Sequence, residues 1–196
     1  MKIKDIKLPD VVGIAGSARC GKDTFAILTQ EVLIKSKSEQ KVAKAGFADN
    51  VKQDCHKLLV EKAGISAYTE VTEEKELIRP LLVAYGTHLM RKINEKVWIS
   101  RMEPRLDLTK TIKASLFITD VRYQNEIDWI KENGGKVIYI EQEGLQPANS
   151  EEEKNDKYLR GGADLIVSWP KVGEGKTKSL KPKVSAALKK ISCTKN

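Results

Sequence analysis

GIAGSARCGKDTF, residues 13–25, decides how this chain is read. Gly16, Gly21 and Lys22 satisfy the spacing G-x-x-x-x-G-K, with Ser17, Ala18, Arg19 and Cys20 between the glycines. An apolar run, VVGIAG (11–16), precedes the loop. The segment Asp23–Lys37 follows it, with Phe25, Ile27, Leu28, Val32 and Leu33 available for packing. Strand, glycine-rich loop and helix in that order form a phosphate-binding loop. The glycines let the backbone curl so that successive N–H groups face one anion, and the helix N-terminus adds the positive end of its dipole. Lys22 then reaches the outer phosphates of a nucleotide. The candidate nucleotide-binding residues are Gly16, Ser17, Arg19, Gly21, Lys22, Asp23 and Thr24. Asp23 stands where such loops usually place Ser or Thr. A carboxylate is also a hard oxygen ligand, so Asp23 and Thr24 are the candidate Mg²⁺ residues, directly or through water.

Outward from the loop, four more short runs read as strands: KVAKAGF (41–47), SLFITDV (115–121), KVIYIE (136–141) and ADLIVSW (163–169). Most are rich in Val and Ile and apolar on both faces, as strands of a parallel sheet covered by helices are. Helices are expected over Asp23–Lys37, Asn50–Lys62, Glu73–Met102 (broken near Pro80 and Tyr85-Gly86), Asn125–Asn133 and Leu180–Ile191. The resulting order β-α-β-α-β-α-β-β-α predicts an α/β fold, an open doubly wound sheet with right-handed crossovers. The long helical segment 48–105 is expected to form a substrate-covering arm.

SLFITDVRYQNE (115–126) is the second chemical signal. Asp120 falls at the C-terminal end of a strand, where parallel sheets bind their ligands. An acid there can orient Mg²⁺ and its waters, and the planar fork of Arg122 suits a phosphoryl group. Phosphoryl transfer needs in-line positioning and charge neutralisation more than acid–base chemistry, so Lys22, Asp120 and Arg122 are the catalytic candidates.

Composition limits the alternatives. The chain has 196 residues, 40% apolar and 32% charged, which fits one sizeable folded domain. No apolar run is long enough to span a bilayer, and the start, MKIKDIKLPD, lacks a secretory segment. Cys20, Cys55 and Cys193 form no C-x-x-C pair, so neither a disulfide framework nor a zinc site is indicated and a cytoplasmic setting is expected. The net charge is +8, and it is concentrated from Lys171 onward, where eight lysines face one acid, Glu174. Without arginine and with only Trp169 at its edge, that tail reads as a solvated helix face, and no specific nucleic-acid partner is expected.

Four blocks together resemble the deoxynucleoside monophosphate kinases of tailed bacteriophages: GSARCGKDT (16–24), GFADNVK (46–52), IRPLLVAYGTHLMRKINEKVWI (78–99) and DVRYQNE (120–126). The resemblance runs from about residue 11 to 191, and in that family Asp23 is expected. It implies the P-loop nucleoside monophosphate kinase fold. A single domain would have a core at about 11–47 and 106–196, an acceptor-binding helical arm at about 48–105 and a lid at about 142–162. It implies ATP as phosphoryl donor, Mg²⁺ as cofactor and a deoxynucleoside monophosphate (dNMP) as acceptor, in the host cytoplasm if the chain is phage-encoded. By position, Arg79, Gly86, Trp98, Asp120, Arg122 and Glu126 are the implied acceptor-binding residues. Lys52 and Arg91 are placed to join them or to project into solvent. Arg160 falls in the lid segment. The chain departs from the family helix at Pro80 and Val83, where a second Arg and a Gln are common, so the base that is read stays open. Two other readings also stay open: a different small-molecule P-loop kinase, acting on a CoA precursor or a phospho-alcohol, and a P-loop module acting on DNA. The oligomeric state, a homodimer included, is not set by the sequence.

Overall fold

The computed structural model describes residues 2–145, 150–173 and 175–192, and side chains within these ranges except at 150–153. Cys193 and the side chains of the acidic run 151–153 thus lie outside the described part. Contacts divide the chain into two compact units, one made of the residues up to Ala45 and from Arg105 onward, the other of Gly46–Pro104.

The first unit is built on five parallel strands, β1 (Val11–Ala15), β2 (Lys41–Ala45), β3 (Ala114–Val121), β4 (Lys136–Gln142) and β5 (Leu165–Trp169), in the order β2-β3-β1-β4-β5. The three inner strands bury nearly every residue, as parallel strands covered on both faces must. The edge strands β2 and β5 are half-exposed, which accounts for the lysines tolerated in β2. All five strands fall on the runs read from the sequence. KVAKAGF ends earlier than expected, because Phe47 already belongs to the next helix. That helix starts where the Asp49 carboxylate accepts the Gly46 N–H at 2.8 Å.

Helix α1 (Lys22–Lys35) buries Phe25, Leu28, Val32 and Leu33. They join Val12, Ile14 and Phe117 of the sheet and Val184, Leu188 and Ile191 of α8 (Lys181–Ile191) in one core. The lysine-rich tail is therefore a core helix with a solvated charged face. Lys181 reaches Glu31 at 2.7 Å and holds that carboxyl below the ordinary range. Helix α6 (Gln124–Glu132) buries Ile127 and Ile130. A Cβ on Gly13 would stand 2.5 Å from Ile130 Cδ1, so this close helix–strand approach needs glycine. One element departs from the sequence reading. A helix, α7 (Ser150–Gly162), separates β4 from β5, which were expected to follow each other directly. Its run SEEEKNDKYLRGG has almost no apolar stripe, and only Leu159 is buried among its described side chains.

The second unit holds α2 (Phe47–Ala63), α3 (Thr72–Val83), a π-helical stretch (Ala84–Met90), the short turn α4 (Arg91–Ile93) and the start of α5 (Val97–Thr111). Cys55, Leu59, Ala67 and Ile78 form its core. The expected break at Pro80 is absent. Pro80 lies inside α3, and the chain continues helically because Ile78, Leu82 and Tyr85 all pack on that core. The backbone instead widens to π geometry at Ala84–Met90 and breaks at Asn94, whose φ of −149° is extended. No helix among the described residues is long and apolar enough to cross a membrane.

Candidate functional site

The loop between β1 and α1 carries three left-handed residues, Gly16 (φ 135°), Arg19 (φ 64°) and Gly21 (φ 97°). Two are glycine for a second reason. A Cβ on Gly16 would lie 2.4 Å from the Ile140 carbonyl oxygen, and one on Gly21 would lie 2.7 Å from the Trp169 ring. The loop is thus curled by its own backbone and wedged between β4 and β5. Trp169 is the wedge on the β5 side. Its indole N–H donates to the Cys20 carbonyl at 2.9 Å, and its buried ring lies 6.1 Å from Phe25. From the sequence, Trp169 is the end of a strand run and the aromatic at the margin of the basic tail, with no part in the loop.

Lys22 opens α1 and folds back over the loop. Its ammonium donates to the carbonyls of Gly16 (2.7 Å) and Ser17 (2.8 Å). Those bonds hold a positive charge over the curl of the loop. Asp23, one residue on, accepts from the Lys44 ammonium and from the Thr119 hydroxyl, both at 3.0 Å to the same oxygen. Three elements therefore meet at Asp23: α1, β2 and β3. Thr24 is half-buried beside it.

At the far end of β3, Asp120 is half-buried and Arg122 is exposed. Glu126 is buried, and its carboxylate accepts the backbone N–H groups of Arg122 (2.7 Å) and Tyr123 (3.2 Å). Glu126 therefore caps α6 and fixes the backbone that presents Arg122. The spacing D-x-R-x-x-x-E encodes a strand end, a projecting cation and a helix cap.

On the other side of the loop, a cavity of about 160 Å³ is lined by Ser17, Cys20, Tyr139, Glu141, Asp156 and Arg160 among others. Arg160, on α7, donates to Glu141 at 2.6 Å and lies 5.7 Å over the Tyr139 ring. Arg160 and the Ser168 hydroxyl together hold the Glu141 carboxyl below its usual range. The Tyr139 hydroxyl donates to the Asp156 carboxylate. Burial, and then that negative charge, push the Tyr139 phenol well above an ordinary tyrosine. Neither Tyr139 nor Asp156 was singled out from the sequence, since nothing local marks them.

Within the second unit, Arg79 is exposed on α3. Lys52 stands 5.9 Å over the Tyr68 ring. Arg91 is half-buried at the end of the π-helical stretch. Gly86 is buried, and a Cβ there would press on Val51 at 3.0 Å. Trp98 is buried with its indole N–H donating to the Gly86 carbonyl at 3.1 Å, so it presents a ring face rather than a polar edge. That face carries Arg101, whose guanidinium lies 5.2 Å above it and pairs with Asp54 at 2.6 Å. Asp54 and Arg101 are absent from the sequence-derived candidates.

Among solved structures, the chain is similar to shikimate kinase from Acinetobacter baumannii, with 13% identity, TM-score 0.43 and coverage of 92% and 93% of the two chains. It is also similar to APS kinase of Mycobacterium tuberculosis, at 12% identity and TM-score 0.39 over 93% and 99%. The similarity is too low for either to bear on the substrate. A protein of Acanthamoeba polyphaga mimivirus with the provisional name deoxynucleotide monophosphate kinase is 28% identical over 153 residues, covering 69% of this chain and 75% of that one. The family model for deoxynucleotide monophosphate kinase matches residues 23–159, more than half of the chain and the whole stretch from Asp23 through α2, α3, β3 and β4. A phosphate-binding loop with its lysine in place and this match lead to one conclusion: the chain belongs to the deoxynucleotide monophosphate kinase family.

Proposed function

We propose that this protein transfers the γ-phosphate of ATP to a deoxynucleoside monophosphate, giving ADP and the corresponding diphosphate. The observation that carries the reading is the loop itself. Gly16 and Gly21 hold conformations closed to other residues, and the Lys22 ammonium lies over their curl. This is a preorganised cradle for a polyphosphate. Family membership supports a nucleoside monophosphate as the acceptor class.

Donor-side roles fall to Gly16, Ser17, Arg19, Gly21, Lys22, Asp23 and Thr24. Among the described residues, no cluster of three or more His, Cys, Asp or Glu is placed to hold a metal. The oxygens of Asp23 and Thr24 fit the way Mg²⁺ is usually held in kinases, by one or two protein oxygens with phosphates and water completing the shell. Bound there, the ion supplies charge neutralisation to the phosphates. Lys22 and Arg122 act on the phosphoryl group in transfer, and Asp120 would orient the waters of a bound Mg²⁺. Acceptor binding is assigned to Lys52, Arg79, Gly86, Arg91, Trp98, Asp120 and Arg122. Glu126 contributes by fixing the Arg122 backbone, and Arg160 belongs to the lid.

The test is an ADP-release panel with Mg-ATP against every dNMP and NMP. Acceptor-dependent ADP, strongest with deoxynucleotides, is expected. ADP formation indifferent to all monophosphates sinks the assignment.

A further inference from the structure

Asp54 stands out because three elements hold one partly exposed carboxylate in place. The Tyr85 hydroxyl donates to its Oδ2 at 2.9 Å, and Arg101 Nη1 donates to the same oxygen at 2.6 Å. Among the described residues, Oδ1 takes no such bond. Exposed ion pairs usually cost side-chain entropy and return little. This one is braced from behind. Tyr85 and Gly86 belong to the π-helical stretch, and such stretches concentrate at functional positions. The Gly86 carbonyl accepts the Trp98 indole N–H, the Trp98 ring lies 6.3 Å from that of Tyr85, and Arg101 stacks over the same indole. Burial, and then the Asp54 carboxylate, raise the Tyr85 phenol above its ordinary value, so Tyr85 stays a donor across the working pH range. The arrangement fixes the direction of Oδ1 while leaving it an open acceptor.

We infer that Asp54 is a specificity-determining residue for the acceptor nucleotide, its Oδ1 accepting a hydrogen bond from an N–H or O–H donor of the nucleoside, with Tyr85 and Arg101 as positioning residues. This rests on the phosphotransfer reading above. A carboxylate cannot donate, so it selects for a donor on the ligand. Two nucleoside groups have that chemistry, the sugar 3′-hydroxyl and an amino or imino N–H of the base. A site built around a fixed acceptor rejects analogues lacking the donor more strongly than an apolar pocket rejects a size change.

The experiment is steady-state kinetics of the full chain and of Asp54→Ala, Asp54→Asn and Tyr85→Phe, with dAMP, dCMP, dGMP, dTMP and the 2′,3′-dideoxynucleoside monophosphates as acceptors. Asp54→Ala is expected to raise the acceptor KM roughly tenfold or more, with the ATP KM moving less than about twofold. Tyr85→Phe, which removes one oxygen and keeps the ring, is expected to raise the same KM values about threefold in the same rank order. If the sugar supplies the donor, Asp54→Ala loses its effect on the dideoxy acceptors. If the base does, the loss differs between bases and persists without the 3′-hydroxyl. Acceptor KM values that stay put in all three variants, with only a lower melting temperature, overturn the inference and leave a purely structural ion pair. If the unmodified protein turns over no monophosphate at all, the phosphotransfer reading fails first and this inference with it.

Discussion

Asp23 and Lys44 are joined at 3.0 Å through the carboxylate oxygen that also accepts the Thr119 hydroxyl. The acid that distinguishes this phosphate loop is thus already tied to two strands of the sheet. Both partners are exposed, 47% for Lys44 and 64% for Asp23, so the pair by itself adds little stability. Two roles follow for Asp23, a tether between α1 and β2 or a ligand for Mg²⁺ or its waters, and they separate experimentally. With the ligand role, Asp23→Ser raises the Mg²⁺ concentration for half-maximal rate by roughly fivefold, an exposed ionic interaction being worth about 1 kcal/mol. Lys44→Met then leaves that concentration the same or lowers it. The ligand role is the expected one. Magnesium titrations of Asp23→Ser and Lys44→Met that both overlay the unmodified protein make Asp23 a tether only.

Lys22 carries the charge over the loop. Lys22→Ala is expected to lower turnover by on the order of 10²-fold or more, because a preorganised charge facing the phosphoryl group is lost. The side chain donates to nearby loop atoms, the carbonyls of Gly16 and Ser17 and the Cys20 Sγ, and is no part of the apolar core, so the fold should survive. Single-turnover ADP formation, with circular dichroism as the folding control, reads this out. A folded variant with near-normal turnover removes Lys22 from the chemistry.

Trp169 is expected to set the shape of the loop from behind. Trp169→Phe keeps a ring against Gly21 but removes the indole donor to the Cys20 carbonyl, a buried hydrogen bond broken from one side at a cost of about 1–3 kcal/mol. For a chain of this size that lowers the melting temperature by roughly 2–10 °C. The ATP KM should rise with it, because the curl that presents the loop is less well held. Thermal melts and an ATP titration check both. A lower melting temperature with an unaltered ATP KM confines Trp169 to stability.

Tyr139 makes a prediction about alkaline pH. Its phenol is held protonated by burial and by the Asp156 carboxylate, so its folded pKa lies above the unfolded one, about 10. Its contribution to stability is therefore complete below about pH 10, and is lost as pH rises from there toward the folded value. Melting temperatures between pH 8 and 11.5 should fall less steeply in Tyr139→Phe than in the unmodified chain. Ultraviolet titration of the five tyrosines should show Tyr139 ionising late. Parallel melting curves would show that the network does not couple to folding.

Much of the architecture was written locally. Short Val- and Ile-rich runs announced all five strands, and G-x-x-x-x-G-K between a strand and an amphipathic segment announced the loop, because both depend on neighbours a few residues apart. Where the local pattern was weak, the reading failed. Helix α7 has no periodic apolar face to betray it. Pro80 looked like a helix breaker, yet packing of Ile78 and Leu82 outweighs the bond it forfeits. The Glu126 carboxylate could be recognised as part of D-x-R-x-x-x-E, but that it caps α6 beneath Arg122 is visible only from its two bonds to backbone N–H groups.

What the sequence determined by itself, then, is the five strands and the phosphate-binding curl, encoded by the clustering of apolar β-branched residues and the conformational limits of glycine. The tertiary structure alone decided the strand order, the seat of Trp169 under a loop 149 positions away, the meeting of Asp23 with Thr119 across 96, and the bracing of Asp54 by Tyr85 and Arg101 across 31 and 47. No short-range preference specifies such pairs. They exist because closing the sheet and packing the helices bring distant side chains to a common place, where the geometry of hydrogen bonds and the cost of burying unpaired polar groups select which of them bond.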